Sequence, residues 1–186
     1  MIVHEGHRQI SEVGFARFSA REVAKRIGYS IGTLYNVFGS HDMLIIAINA
    51  RTLALWKAHV EARLAGAEED RLRLLVEAYF EFALLHRHAW TALYDHRLPD
   101  GVAAPDYYLD HIRAITGVVQ DEIAAVLPPE RRDQATALTR SLLATVHGHC
   151  FFTLNGTFAL LGETTPLESV YARVLEAIEK PRFTIK

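Results

Sequence analysis

The chain has 186 residues, 50% of them hydrophobic and 23% charged, with a formal net charge of -2 and a pI near 6.5. That length and composition suit one large or two small packed units and exclude a disordered chain, while the near-neutral charge excludes coating of nucleic acid or anionic membrane by bulk positive charge. A lone cysteine, Cys150, excludes an internal disulfide framework and points to a reducing, cytoplasmic compartment.

The leading residues, MIVHEGHRQI, lack the basic start and long apolar core of a secretory signal, so export is not expected. Apolar spacing and breaks divide the chain into about nine helices with no sustained period-two alternation, and an all-α fold is expected. The first helix ends at the break FARFS. Ser19-Ala20-Arg21-Glu22 then reads as a capping box, with Ser19 accepting from the Glu22 amide and the Glu22 carboxylate reaching back to the Ser19 amide. Gly28 falls just past this second helix, where a left-handed backbone is easiest for glycine. A third helix runs from Ser30, its cap, to about Phe38.

The stretch GYSIGTLYNVF, residues 28–38, contains no charged side chain. Its order of capped helix, glycine turn and second short helix is the helix-turn-helix arrangement, in which the second helix enters the major groove and the first crosses the phosphate backbone. Neutral hydrogen-bonding groups suit such a helix. Gly32 permits close backbone approach, Thr33 and Tyr35 donate to phosphate, Asn36 reaches phosphate or a base edge, and Ile31 packs on a thymine methyl. Ser19 and Arg21 open the supporting helix, and Arg21 is the expected charged phosphate contact. Residues 1–40 carry Arg8, Arg17, Arg21, Lys25 and Arg26 against Glu5, Glu12 and Glu22, a slightly basic balance.

On these residues, GFARFSAREVAKRIGYSIGTLYNVFGSHDMLIIAI resembles the DNA-binding signature of TetR-type transcriptional regulators, over roughly residues 8–50. The resemblance implies a three-helix core of Phe15, Val23, Ala24, Ile27, Leu34, Val37 and Phe38. It also implies a phosphate contact just after the serine of FGS, where the family usually has lysine and this chain has His41. Ile31 stands where arginine or another polar group is common. The family's longer first helix and basic leading arm are not matched ahead of Gly14, so a shortened first helix is expected.

From His41 onward the helices lengthen. A helix over 41–65, with Leu53, Trp56, Val60 and Leu64 on one stripe, connects a reading domain of 1–40 to a bundle of 41–186. Beyond AGAEED the stripe is Leu72, Val76, Tyr79 and Phe82; beyond RLPDGVAAP it is Tyr108, Ile112, Ile115, Val119 and Ile123, in a helix starting near Pro105. Pro128 and Pro129 end that helix and begin another. Residues 142–161 read as one helix that is apolar nearly all round, with His147, His149 and Asn155 arguing against a membrane span. Thr165-Pro166-Leu167-Glu168 reads as a second capping box opening the last helix.

The resemblance implies that this larger part binds an effector and dimerises, and TVHGHCFFTLNG is similar to the Trp-His-Gly pattern of one branch, with Val146 replacing Trp. A helix apolar on both sides asks for a two-fold partner. Leu142, Val146, His149, Cys150 and Leu154, with Leu167, Val170, Val174 and Ile178 of the last helix, are the expected interface of an intermolecular four-helix bundle. Aromatic crowding places the expected ligand pocket among Tyr79, Phe82, His86, Trp90, Tyr94, Tyr108, Ile112, His147 and Phe151. The pairs His86 with His88 and His147 with His149 point apart on a helix and no His-x-x-x-His pair occurs, so neither a metal nor a cofactor is expected. No nucleophile elbow, phosphate loop or paired metal motif appears, so catalysis is not expected. Taken together, the resemblance implies a homodimeric repressor that leaves a palindromic operator when a small molecule binds. Two alternatives stay open: a helical ligand-binding dimer without competent DNA binding, and a metal-responsive regulator.

Overall fold

The computed structural model describes residues 1–179, and all of its regular elements are helical. In chain order they are α1 (Ile2–Val13), a 3-10 turn (Phe15–Arg17), α2 (Ala20–Arg26), α3 (Ile31–Phe38), α4 (His41–Leu64), α5 (Arg71–Leu85), α6 (Arg87–Asp95), α7 (Asp106–Val126), a second 3-10 turn (Pro129–Gln134), α8 (Ala135–Leu154), α9 (Thr157–Leu161) and α10 (Pro166–Glu179). Among the described residues this makes ten α-helices, more than the sequence pattern suggests, because two apolar runs are broken. One break is at His86, between α5 and α6. The other is at Asn155-Gly156, where Gly156 turns left-handed at φ 81° and starts α9. The expected single helix over 142–161 is therefore two helices. No single helix among the described residues is long and apolar enough to cross a membrane.

Two compact units form. The first combines Met1–His59 with Phe82–Ile115; the second combines Val60–Glu81 with the described residues from Thr116 onward. In the first, Ile10, Val23, Leu34, Leu44, Ile45 and Ile48 are buried together, and Phe15, Phe18, Ile27, Ile31 and Phe38 pack against them. Each fully buried aliphatic side chain stabilises the fold by about 1.5–3 kcal/mol relative to exposure. Val37 departs from the expected core: it is 62% exposed. On a helix, Ile31, Leu34 and Phe38 share one face at spacings of three and four, and Val37 turns away from it.

At Gly6 an added Cβ would lie 2.4 Å from Cδ1 of Ile48, so α1 and α4 cross with glycine's clearance. Polar groups tie further elements to this crossing. Asn49, 1% exposed, donates to the Ala92 carbonyl at 3.2 Å, and His96 Nε2 donates to Asp42 at 3.0 Å, which fasten the C-terminal half of α6 to α4.

The second unit is held by arginines placed at helix ends. Arg71 grips Glu122 with two bonds of 2.7 and 2.6 Å and donates to the carbonyls of Leu64 and Ala67 at 3.0 and 2.7 Å, closing the exposed end of α4. Arg73 pairs with Glu77 and Glu168 and lies over the Tyr171 ring. Because Glu168 is taken by Arg73, and the Thr165 hydroxyl donates to Glu163, the expected second capping box does not form. Pro166 nevertheless opens α10 as expected.

Candidate nucleic-acid interface

The glycine turn is built by local hydrogen bonds. Ile27 ends α2, Gly28 takes φ 75°, the Tyr29 amide donates to Ala24 O at 2.8 Å and the Gly28 amide to Lys25 O at 3.2 Å. That pair of bonds is the Schellman closure, and glycine alone enters it without Cβ strain. Ser30 then caps α3, its hydroxyl accepting from the Thr33 amide at 3.1 Å while lying 2.9 Å from the Thr33 hydroxyl. Ser19 caps α2 by accepting from the Glu22 amide at 3.3 Å. The return half of that box is absent: the Ser19 amide donates to Gln9 at 2.9 Å, and Glu22 instead accepts from Arg26. A buried glutamine on α1 thus sets the start of α2, a tertiary contact that no local motif announces.

Burying Leu34 and packing Ile31 and Phe38 on the core leaves the opposite face of α3 in solvent. Gly32, Tyr35, Asn36 and Val37 are exposed there, with Ser30 and Tyr29 leading into them. Thr33 is half-buried beside Ser30, and Ile31 is half-buried against the core, which removes part of its surface from any groove contact. Tyr29 and Val37 join the face without having been expected on it; the rotation of Val37 away from Leu34 was the available signal.

Charge is sorted sharply around this face. Arg8 and Arg26 are held by Glu5, Glu12 and Glu22, and these two guanidiniums depress the Glu5 pKa by hydrogen bonds, Arg8 first, against the opposing effect of burial. Arg17 donates to the Val13 carbonyl. Arg21 and Lys25 are exposed, with no ion pair among the described residues. Positive charge without an ion pair in the head therefore lies on α2, the helix that crosses the backbone in this motif, and at Arg17 in the turn before it. At the start of α4, Ser40 caps by accepting from the Met43 amide at 3.1 Å, and exposed His41 sits on this free helix end with its ring 5.8 Å from Phe18. Asp42 accepts a hydrogen bond from His96 Nε2.

The expected pocket residues belong to both units. In the second unit, Tyr79 Oη lies 3.0 Å from His147 Nδ1 and the His147 ring stacks 6.1 Å from Phe151; burial lowers the His147 pKa. In the first, Phe82 meets His86 at 4.6 Å, and Trp90 meets Tyr94 edge-on at 5.2 Å. Ile112 is half-buried, and burial raises the Tyr108 pKa. A cleft of about 270 Å³ in the second unit is lined by Glu61, Leu64, Ala65, Arg71, Val118, Asp121 and Glu122, none of them expected. Another, about 240 Å³ in the first, is lined by Ser11, Leu84, Leu85, His86, Arg87 and His88.

The expected dimer residues divide by depth. Leu142, Val146, Cys150, Val170 and Val174 are buried by the chain itself, where α8 and α10 pack together, and so present little surface to a partner. Burial pushes the Cys150 thiol up to about 12. His149 donates to Thr145 O and lies 5.4 Å from Phe158; Leu154, Leu167 and Ile178 are half-buried. What the chain leaves bare on α8 and α9 is Phe151, Phe152, Leu160, which is 90% exposed, and Leu161. No group of three His, Cys, Asp or Glu among the described residues is arranged to hold a metal ion.

The comparisons with known proteins agree with this arrangement. The profile described as bacterial regulatory proteins, tetR family, matches residues 2–48, and that described as tetracyclin repressor-like, C-terminal domain, matches residues 72–178. Among curated proteins there is no significant match. Solved structures with the same fold include SCO4313, a candidate regulatory protein, at 22% identity, covering 97% of this chain and 94% of that one with a TM-score of 0.70. A protein of unknown function from Rhodococcus sp. RHA1 follows at 21% identity, 94% and 90% coverage and a TM-score of 0.73. The multidrug binding protein EbrR, complexed with imidazole, aligns at 19% identity, 97% and 94% coverage and a TM-score of 0.64. With one profile on the helix-turn-helix and the other on most of the remainder, the chain belongs to the tetR family of bacterial regulatory proteins.

Proposed function

We propose that this DNA-binding regulator is a homodimeric repressor that reads a palindromic operator with α3 and leaves it when a small molecule occupies the part following residue 40. The observation that carries the reading is the solvent-facing row of Ser30, Gly32, Tyr35 and Asn36 next to Arg21 and Lys25, cations that the head does not neutralise. Arg21 anchors on a phosphate and Ser19 lies beside it. Thr33 and Tyr35 donate to phosphates, Gly32 allows the backbone close, and Asn36 reaches a base edge. His41 adds a neutral donor at the α4 N-terminus. With few direct base contacts, operator choice leans on DNA shape.

Two such helices must meet successive major grooves, about 34–36 Å apart, which requires a two-fold dimer. The bare apolar row of Phe151, Phe152, Leu160 and Leu161 supports an interface on α8 and α9, with Leu154, Leu167, His149 and Ile178 at its margin. Release needs only an effector with higher affinity for the arrangement that takes the heads out of groove spacing, carried along the continuous α4. EbrR is described as a multidrug binding protein, which supports a small-molecule effector here. DNase protection across the promoter of the chain's own gene, at low salt, tests the reading. A two-fold symmetric footprint is expected, and a uniformly unprotected promoter overturns it.

A further inference from the structure

Within the first unit, three elements bring basic groups together without a counter-charge. At the α1–α4 crossing, His7 follows Gly6 and Arg51 lies one turn beyond Ile48, the residue that Gly6 touches. The junction of α5 and α6 supplies His86, whose ring lies 4.6 Å from Phe82, and His88, which donates to the Ser11 carbonyl at 3.0 Å and so holds that junction against α1. His7 Nε2 and Arg51 Nε are both buried atoms with no hydrogen-bond partner among the described residues. Nearby acids are engaged elsewhere: Glu5 and Glu12 by Arg8 and Arg26, and Asp42 by His96.

Buried donors without partners are costly, and half-buried Arg51 carries such a donor, Nε, on a cation with no ion pair among the described residues. We propose that Arg51, His7 and His86 form a binding site for a small organic monocarboxylate, whose apolar tail lies in the adjoining cleft against Leu84 and Leu85. Three observations select that class. The planar guanidinium fork matches a carboxylate. His7 is held neutral, its pKa lowered to about 4 by burial first and then by Arg51, His86 and His4, so Arg51 brings the formal charge and a monoanion balances it. The cleft of about 240 Å³ that His86 lines also presents exposed Leu84 and Leu85, an apolar wall that an inorganic anion has no use for. The other ionisable groups facing His7 and His86 are His4 from α1 and His59 from α4, and Arg87 and His88 line the same cleft as His86. This site does not depend on operator binding, so its test can fail while the regulatory reading stands.

Isothermal titration of the full chain at pH 7 with sodium hexanoate, acetate, phosphate and chloride at equal ionic strength tests the proposal. Hexanoate is expected to saturate with a dissociation constant near or below ~1 mM, tighter than acetate. Arg51→Met should weaken hexanoate at least tenfold while melting at the wild-type temperature or above it, since a half-buried cation with an unpartnered buried Nε has been removed. Titration in buffers of different ionisation enthalpy should show no net proton uptake on binding at pH 7, since His7 stays neutral, and uptake of a full proton per hexanoate overturns the charge balance proposed. Absence of saturable hexanoate binding, equal affinity in Arg51→Met, or tighter binding of phosphate than hexanoate each overturns it.

Discussion

Replacing Arg21 by alanine isolates the electrostatic part of DNA binding, because Arg21 is exposed, has no ion pair among the described residues and belongs to the helix placed over the backbone. A phosphate contact releases counterions, and each one steepens the plot of log affinity against log salt by about 0.9. A dimer carries two copies of Arg21, so the slope should fall in magnitude by about 1.8. Between 50 and 200 mM salt, a change of roughly 0.6 in log concentration, the variant's affinity should therefore drop about twelvefold less than wild type's. Arg26→Ala is the matched control. Arg26 is already bound to Glu5, Glu12 and Glu22, so its removal should loosen the head without altering the slope. Fluorescence anisotropy on a labelled operator over a salt series measures both. An unchanged slope for Arg21→Ala, or the larger change for Arg26→Ala, would refute the placement of the backbone-crossing face.

Other consequences follow from the same geometry. Tyr35→Phe removes one neutral donor and should weaken operator binding roughly three- to tenfold with the salt slope intact, read in the same assay. Leu34→Ala opens a cavity at a fully buried position and should cost about 2–5 kcal/mol of stability in urea unfolding, with loss of the DNA complex. Burial lowers the His7 pKa to about 4 from the ordinary histidine value of 6.5, so its contribution is full above pH 6.5 and is lost as pH falls toward 4. His7→Gln should flatten the stability profile across that window by about 2 kcal/mol, after allowing for solvent screening, in urea midpoints at pH 4.5 and 7.5. Phe152→Glu places a charge on the bare apolar face and should give monomers in sedimentation velocity; persistence of a dimer would move the interface elsewhere.

Local signals in this sequence proved good guides where the chain decides its own structure locally. Ser30, Gly28 and the glycine turn read correctly because capping and left-handed closure involve only neighbours in sequence. The long stripes through Leu53, Trp56, Val60 and Leu64 and through Leu72, Val76, Tyr79 and Phe82 are buried as their spacing implies. Reading failed where a distant group competes for a local partner. Gln9 takes the amide that Glu22 would have closed, and Arg73 takes Glu168 from the second box. Composition alone also hid the depth of α8: an apolar helix looks the same whether its cover comes from its own chain or from another molecule, and here Val146 and Cys150 are buried within the chain while Phe151 and Phe152 are exposed. The basic cluster of His7, Arg51 and His86 joins residues far apart in sequence, so no spacing could announce it.

Selection of bound DNA from a random double-stranded pool tests the central claim, that α3 of this chain reads an operator as one of a two-fold pair. The account predicts enrichment of an inverted repeat whose half-sites lie about one helical turn apart, lost on Tyr35→Phe combined with Arg21→Ala. Enrichment of no sequence, or of a site lacking two-fold symmetry, would contradict it.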